Sequence, residues 1–166
     1  AKTLSAQADL VDQLADKTVF REYEAVVQGV LVSGGTIEAP IGRHPVERKR
    51  MTVRGDGRPA TTRYRTLFTA AGLTLIELEL LTGRTHQIRV HLKHLRHPIV
   101  GDATYGEARH RELAATVGRS VRAFPRPALH AWRLAFRHPT SGEAMRFEAP
   151  LAEDMGVPLE KMRARV

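Results

Sequence analysis

Histidines and cations are concentrated in residues 81–97, "LTGRTHQIRVHLKHLRH". This stretch holds four histidines, four Arg or Lys residues and no acid. Imidazole binds metals and transfers protons near neutral pH, whereas guanidinium and ammonium groups bind phosphates. The stretch therefore has three possible roles: a metal site, a contact with nucleic acid, or one wall of a catalytic pocket.

The spacing of the histidines gives little support to a metal site. His91 and His94, like His94 and His97, form i,i+3 pairs. Zinc needs three or four converging ligands, and the neighbouring residues here are cations that repel a metal ion. The chain also has no cysteine. We expect no metal, and hydrogen-bonded packing near the surface for His94 and His97.

Familiar hydrolase and nucleotide-binding motifs are missing from the sequence, which has no GxSxG, GxxxxGK[ST] or HExxH pattern. Asp102, in "VGDATYG", is the first acid that follows the cationic stretch. An aspartate between a glycine and a small residue is typical of turns. We therefore predict that Asp102 forms a turn rather than acting as a catalytic acid.

The charge of the chain favours a polyanionic partner. Lys and Arg number 26 and Asp and Glu number 18, which gives a formal net charge of +8. The charge is uneven, because residues 43–65 hold eight Arg or Lys against two acids. Two one-sided basic blocks favour nucleic-acid binding, and a solvated basic surface remains the alternative for each.

Length and composition indicate one domain. The 166 residues suffice for a single core. No apolar run approaches the roughly 18 residues that a membrane helix needs, and the first residues lack the apolar segment of a signal peptide. The absence of cysteine excludes disulfides. We expect a single cytoplasmic domain.

Residues 85–96 are predicted to form a helix that Thr85 caps. Apolar residues recur at i, i+4 and i+7 and make a buried stripe, and cations recur one position on, about 100° round the helix. A basic ridge therefore borders the core and can reach into a cleft. The stripe is Ile88, Leu92 and Leu95, and the ridge is Arg89, Lys93 and Arg96.

The remaining pattern predicts an α+β fold with a mixed, mainly antiparallel sheet and flanking helices. Alternating β-formers indicate two hairpins, and a stretch rich in glycine and proline indicates a long basic loop. The predicted elements are a helix at 6–17, strands at 20–31 and 36–41, the loop at 42–59, hairpins at 61–81 and 129–149, an irregular or partly helical segment at 107–127, and a partly helical tail.

Several blocks together resemble the RluA-type pseudouridine synthases, and most closely the branch that modifies large-subunit ribosomal RNA. The resemblance covers nearly the whole chain in the family's order. The blocks are "REYEAVVQG" (21–29), "IGRHPVERKRMTV" (41–53), "GRPATTRYR" (57–65), "GRTHQIRVHL" (83–92) with "HPIVGDATYG" (97–106), and "LHAWRLAFRHPTSGEAMRFEAP" (129–150).

This resemblance implies an enzyme that isomerises uridine to pseudouridine in RNA without a cofactor or metal. It implies the family's catalytic fold, with helices and loops around a central RNA-binding cleft. The implied partner is large-subunit ribosomal RNA, and we expect a monomer.

The resemblance also assigns three residues to the active site. Tyr23 matches the tyrosine that stacks on the flipped uracil and whose hydroxyl can take or give a proton, although a half-buried strand tyrosine is the alternative. Arg89 matches the arginine of "HQIR", which pairs with the essential aspartate and keeps it ionised. Leu129 matches an apolar position near the base.

A basic loop and two further cations are implied to contact RNA. In the family such a loop touches phosphates and helps to evert the target nucleotide. The RNA-binding candidates are His44, Arg48, Lys49, Arg50, Arg84 and Lys93.

One block of the family is missing from the sequence. The essential aspartate lies in a block like "HRLDxxTSG", and none of the chain's six aspartates has that context. In relatives the block precedes the segment that resembles residues 1–11. We therefore expect residues 1–166 to be one N-terminally truncated catalytic domain, with an inactive RNA-binding relative as the alternative.

Overall fold

The computed structural model describes residues 1–106, 124–156 and 159. Within them the chain forms an α+β fold, as the sequence predicts. No helix among these described residues is long and apolar enough to cross a membrane. The elements are α1 (Leu4–Ala15), β1 (Phe20–Gln28), β2 (Gly35–Glu38), β3 (Ile41–Arg43), β4 (Met51–Val53), β5 (Thr61–Ala70), β6 (Leu73–Leu80), α2 (Gln87–His94), β7 (Leu129–Arg137) and β8 (Ala144–Glu148).

Six strands form one sheet in the order β2-β5-β6-β1-β7-β8, and every neighbouring pair is antiparallel. Both predicted hairpins are confirmed. The β5–β6 turn is tight because Ala71 and Gly72 both adopt positive φ, which matches the twist of the strands. Strand β1 lies inside the sheet and pairs with β6 on one side and β7 on the other.

The two faces of this sheet differ in polarity because side chains alternate along a strand. Tyr23 pairs with Leu78, and Ala25 pairs with Ile76, so these four share one face. Ala25, Ile76 and Leu78 are at most 1% exposed, which makes this face part of the core. Glu77 lies on the opposite face, where exposed cross-strand ion pairs join Arg65 to Glu77 and Arg63 to Glu79.

Helix α2 packs on the apolar face. Thr62 pairs with Leu80, two residues from Leu78, and therefore shares the face of Leu78. The hydroxyl of Thr62 lies 2.9 Å from Nδ1 of His91. Ile88 and Leu92 of α2 join the same apolar cluster.

The predicted start of α2 is wrong. Thr85 is not the cap: the helix begins at Gln87, and His86 precedes it with a φ of 56° and no side-chain capping bond. The buried Gln87 side chain organises this start instead. Its Oε1 accepts from the Arg84 N–H at 3.0 Å, and its Nε2 donates to the Thr61 carbonyl at 2.9 Å. A tertiary contact therefore sets the boundary.

The predicted end of α2 is also too late. The helix ends at His94, and Arg96 has a φ of 63°. The Arg96 N–H bonds to the Lys93 carbonyl and the His97 N–H to the Leu92 carbonyl, which closes the helix. The buried stripe therefore keeps Ile88 and Leu92, but Leu95 is only half-buried and lies after the helix. Because Arg96 also lies after the helix, it is not part of the basic ridge.

The stretch predicted as a long loop, residues 42–59, contains part of a small hairpin. Strands β3 and β4 pair antiparallel, with Ile41 opposite Val53. Ile41 belongs to a second apolar cluster with Val90 and Tyr105, against which Val53 packs. This packing holds the hairpin against α2. The two strands are too short for their sequence pattern to predict the hairpin.

The ends of the chain follow the prediction in part. Helix α1 begins after Thr3, whose side chain accepts from the Ala6 N–H at 3.2 Å. Gln13 fastens α1 to β7 through two hydrogen bonds with the backbone of Arg137. Residues 153–156 are helical. The segment predicted as irregular lies outside the described residues at 107–123, and so does most of the tail.

Candidate active site

Arg89, on α2, forms an ion pair with Asp102 in the loop that follows the helix. Its Nε donates to Oδ2 at 2.7 Å and its Nη2 donates to Oδ1 at 2.8 Å. The side chain of Asp102 is fully buried, whereas that of Arg89 is 19% exposed. The pair therefore has its anion inside the fold and its cation toward the surface.

Asp102 is also bonded to its own loop. Its Oδ1 accepts from the N–H groups of Thr104 and Tyr105, each at 3.0 Å. Burial alone would raise the pKa of Asp102, but the Arg89 guanidinium and these two N–H groups outweigh it and lower the pKa. The hydrogen bond to Asp102 raises the pKa of Arg89. Both groups are therefore charged at neutral pH.

Tyr105 joins the ion pair to the β3–β4 hairpin. Its buried ring lies 4.8 Å from Cζ of Arg89 and 5.5 Å from Cζ of Arg50. Its hydroxyl accepts from the Met51 N–H at 2.9 Å and lies 3.0 Å from Nδ1 of His86. Because Met51 donates to it, the hydroxyl can give its own hydrogen to His86.

The surroundings of His86 favour its neutral form. Loss of solvation, and then the charge of Arg89, lower the pKa of His86. In a neutral ring Nδ1 can accept the hydrogen of the Tyr105 hydroxyl, 3.0 Å away. A neutral imidazole therefore lies beside the ion pair.

A cleft of about 400 Å³ lies between the β3–β4 hairpin and α2. Its polar lining is mainly basic, and Glu47 is the acid among the lining residues. Tyr105 forms part of the wall, so the cleft adjoins the surroundings of Arg89. The basic lining residues are His44, Arg50, Lys93 and His94.

Three of the RNA-binding candidates line this cleft together: His44, Arg50 and Lys93. Arg50 donates to the Thr104 carbonyl and to Glu47, which fixes its position. His44 lies at the base of the hairpin tip, where its Nδ1 accepts from the Glu47 N–H at 3.0 Å. Arg50 and His44 are therefore presented on an ordered surface.

The other RNA-binding candidates lie outside the lining. Arg48 and Lys49 are exposed at the hairpin tip. Arg84 precedes α2, where its Nε donates to the Pro59 carbonyl at 3.0 Å. Arg48 and Lys49 of the tip directly precede Arg50 of the cleft in the chain, so the exposed tip adjoins the cleft.

Tyr23 and Leu129 lie on neighbouring strands of the central sheet. Tyr23 pairs with Ala131 of β7, and Ala25 pairs with Leu129. All four therefore share the face that carries α2, the helix of Arg89. Both Tyr23 and Leu129 are partly buried against the main core. The structure thus places all three proposed active-site residues on or over one face of the sheet.

Two histidines of the opening stretch, His91 and His97, have structural roles. His91 is fully buried, with Nδ1 2.9 Å from the Thr62 hydroxyl and Nε2 3.0 Å from the Ala39 carbonyl. His97 bonds through Nδ1 to the Gln28 carbonyl at 2.9 Å, which agrees with the packing interpretation, and His94 is exposed. In the described part of the chain, no three His, Cys, Asp or Glu residues converge as metal ligands would.

The sequence prediction missed Asp102 and Tyr105. Asp102 does form a turn, as predicted, but its ion pair with Arg89 was not expected. The available signal was charge balance: Arg89 sits beside a buried stripe and needs a compensating acid. Asp102 is the first acid that follows it in the sequence. Tyr105 gave no signal of this kind.

Comparison with known proteins identifies the family. The family model described as RNA pseudouridylate synthase matches residues 1–94, more than half of the chain. The chain belongs to the RNA pseudouridylate synthase family. The "Ribosomal large subunit pseudouridine synthase D" of Xanthomonas campestris pv. campestris is 53% identical over 157 residues, which is 93% of this chain and 47% of that protein.

A second relative gives the same picture. The Escherichia coli K12 protein "Ribosomal large subunit pseudouridine synthase D" is 45% identical over 166 residues, 99% of this chain and 51% of that protein. The chain thus spans about half the length of the curated relatives that it matches.

Solved structures of the RNA pseudouridylate synthase family share the fold. "Human RNA Pseudouridylate Synthase Domain Containing 1" matches with a TM-score of 0.73 and 30% identity, over 99% of this chain and 74% of that one. "Human RNA Pseudouridylate Synthase Domain Containing 4" matches with a TM-score of 0.77 and 22% identity, over 97% and 69%, and shows the fold alone. The expected pseudouridine synthase fold is confirmed.

Proposed function

We propose that the protein carrying this chain isomerises specific uridines of large-subunit ribosomal RNA to pseudouridine. The observation that carries the proposal is the arrangement of the site, in which the arginine of "HQIR" is fixed beside a basic cleft in a chain of this family. The substrate is suggested by the relatives, whose names specify the large ribosomal subunit.

The proposed reaction moves the ribose from N1 to C5 of the same uracil. The N1–C1′ bond breaks and a C5–C1′ bond forms. The proton on C5 leaves to solvent and N1 gains a proton, so the conversion balances without an oxidant, metal or cofactor. The demands on the protein are therefore positioning, a group that attacks or deprotonates, and proton transfer.

The active-site roles follow from the resemblance and are supported by position. Tyr23 is proposed to stack on the everted uracil and to exchange a proton through its hydroxyl, and Leu129 to pack near the base. Arg89 is proposed to keep the essential aspartate ionised and oriented. That aspartate is proposed to come from a segment outside residues 1–166, since no aspartate in them has the "HRLDxxTSG" context.

RNA binding is proposed to use the hairpin tip and the cleft. The exposed cations of the tip contact phosphates, and the cations of the cleft contact the RNA strand as it runs toward Arg89. Contacts to the backbone also offset the few kcal/mol that everting a nucleotide costs. The proposed contact residues are His44, Arg48, Lys49, Arg50, Arg84 and Lys93.

We further propose that residues 1–166 belong to one catalytic domain of a monomer that acts in the cytoplasm. The absence of cysteine supports an environment in which disulfides are not used. Light scattering during size-exclusion chromatography tests the monomeric state.

Release of tritium tests the proposed reaction, since forming the C5–C1′ bond expels the hydrogen on C5. The protein carrying this chain is incubated with large-subunit ribosomal RNA that contains uridine tritiated at C5. We expect release that approaches a whole number of tritium atoms per RNA. RNA binding without release would overturn the proposal and favour the inactive RNA-binding relative, which the missing "HRLDxxTSG" block also suggests.

A further inference from the structure

The buried carboxylate of Asp102 cannot touch a nucleotide. Its side chain has no exposed surface and it accepts four hydrogen bonds, two from Arg89 and two from backbone N–H groups. No oxygen is therefore left open for chemistry with a substrate. Any effect of Asp102 on a reaction must therefore be indirect, and Arg89 is its charged partner.

The loop fixes Asp102 independently of Arg89. Gly101 has a φ of 73°, and a Cβ there would lie 2.1 Å from the Arg126 carbonyl oxygen. The turn that starts at Gly101 then directs the N–H groups of Thr104 and Tyr105 onto the carboxylate. The loop therefore holds the anion through contacts that do not involve the guanidinium.

The bidentate contact leaves a defined part of Arg89 for a second partner. A guanidinium has five N–H donors, and Asp102 takes one on Nε and one on Nη2. Among the described residues, Nη1 makes no hydrogen bond, and the side chain is 19% exposed. The Nη1–Nη2 edge is thus able to receive a second carboxylate end-on.

Tyr105 removes the remaining freedom of this guanidinium. The ring lies 4.8 Å from Cζ of Arg89, close enough for a cation–π contact. The ring is itself held by the Met51 N–H and by His86. Contacts from Asp102 and Tyr105 therefore determine both the plane and the direction of Arg89.

We propose that Asp102 is a positioning residue. It binds the Nε–Nη2 edge of Arg89 and thereby directs the Nη1–Nη2 edge of Arg89 toward the essential aspartate of the reaction. This inference rests on the proposed function and deepens it. Substrate binding does not need this ion pair, because Asp102 is buried and contributes no surface to the cleft. Asp102 therefore acts on turnover rather than on RNA affinity.

Two substitutions at Asp102, made in the protein carrying this chain, test whether Asp102 positions Arg89. Asp102→Asn retains an acceptor for the loop N–H groups but loses the charge, and Asp102→Glu retains the charge but moves it. We expect either change to lower kcat by about 10-fold to 100-fold, as misplacement of a catalytic group does, with the Kd for RNA within about threefold. The matched control is Glu77→Gln, which removes the same bidentate contact from Arg65 on the opposite face and should leave kcat unchanged.

A double-mutant cycle with Arg89→Lys distinguishes positioning from a merely structural role. If Asp102 acts through Arg89, then Asp102→Asn should lower kcat by less than about twofold in the Arg89→Lys background. A loss as large as in the wild-type background would overturn the inference. So would wild-type kcat in both Asp102 variants with unchanged melting temperature. Failure of the wild-type protein to release tritium would instead overturn the proposed function.

Discussion

Arg89 keeps its charge in a partly buried position because Asp102 compensates for it. Paired burial of two charges adds little net stability, since desolvation offsets their attraction, but removing one partner costs about 3–5 kcal/mol. The pair is therefore better explained by orientation than by stability. Its bidentate geometry, with distances of 2.7 and 2.8 Å, fixes direction as a single contact cannot.

Arg89→Ala should abolish turnover with little loss of RNA affinity. We expect kcat to fall by at least about a thousandfold, because the essential aspartate loses its charge partner, and the Kd for RNA to change by about threefold or less. Tritium release and filter binding measure the two quantities. Near-normal turnover would remove Arg89 from the active site.

Two further variants control for folding and for loss of charge. Arg89→Ala leaves the negative charge of Asp102 buried without a positive partner. Arg89→Ala combined with Asp102→Asn removes that buried charge as well. The double variant should be equally inactive but melt at a higher temperature than the single variant. Arg65→Ala removes an exposed arginine on the opposite face and should retain wild-type turnover.

His91 should make the fold sensitive to mild acid. Burial is the main cause that lowers the pKa of His91 in the folded chain. The unfolded chain, with an ordinary histidine pKa of about 6.5, then binds the proton more readily, so stability is full above that pH and falls below it. We expect the free energy of unfolding to fall by up to about 1.4 kcal/mol per pH unit from this group below about pH 6.5.

Urea denaturation at pH 7.5 and 5.5 measures this dependence. His91→Gln removes the titrating group, and although it is less stable at pH 7.5 it should lose less stability on acidification. His138→Gln is the matched control, because His138 is an exposed histidine between β7 and β8 and is not among the groups that shift the pKa of His91, and it should keep the wild-type dependence. Equal acid sensitivity of His91→Gln and the wild-type protein would contradict the assignment.

At the scale of elements, the β3–β4 hairpin and α2 enclose the cleft, and Tyr105 links them. The alternating pattern of the sequence predicts the strands of the sheet, because each strand has one face in the core. It does not predict the hairpin or the start of α2. The hairpin depends on packing against Val90 and Tyr105, and the helix start depends on Gln87 reaching Thr61, so both are set by distant residues.

Reversing the charges at the hairpin tip, with Arg48→Glu and Lys49→Glu, should weaken RNA binding and flatten its salt dependence. Each phosphate contact contributes about 0.7 to 0.9 to the slope of log K against log salt, so losing two should reduce it by about 1.4 to 1.8. Lys2→Glu with Lys17→Glu changes the net charge equally on exposed positions beside α1 and is the control. An unchanged slope would exclude the tip from the RNA interface.

Tyr105→Phe should loosen the hairpin while leaving Arg89 in place, because the buried ring keeps its packing against Ile41 and Val90. It removes the hydroxyl that binds the Met51 N–H and His86 but keeps the ring that covers Arg89. With about 1 kcal/mol lost per hydrogen bond, we expect the Kd for RNA to rise by about 5-fold to 30-fold and kcat to change by less than about twofold.

Titration of labelled RNA and single-turnover tritium release separate these effects. The control is Tyr64→Phe, since the Tyr64 hydroxyl makes no hydrogen bond within the part of the chain that is described. A fall in kcat equal to the rise in Kd would instead mean that the hydroxyl of Tyr105 takes part in the reaction.

At the scale of the whole molecule, the fold could be predicted from the sequence, whereas the roles of the proposed site residues stay predictions. The antiparallel sheet follows from strand patterns, and the resemblance selects Tyr23, Arg89 and Leu129, which the structure assembles on or over one face. The partner of Arg89 could not be predicted, because a turn aspartate and a buried ion-pair aspartate have the same local sequence. Only the tertiary fold brings Asp102 under the guanidinium.

The position of β1 inside the sheet also constrains the order of folding. The β5–β6 hairpin and α2 join residues that are close in the chain, whereas β1 meets β7 across more than a hundred residues, as the contact between Glu22 and Arg133 shows. Long loop closure is slow, so Leu129 should reach Tyr23 last. On the ribosome, a nascent chain would therefore expose its basic hairpin before the face that carries Tyr23 and Leu129 exists, and the proposed binding of a base would have to wait for the final strands to emerge.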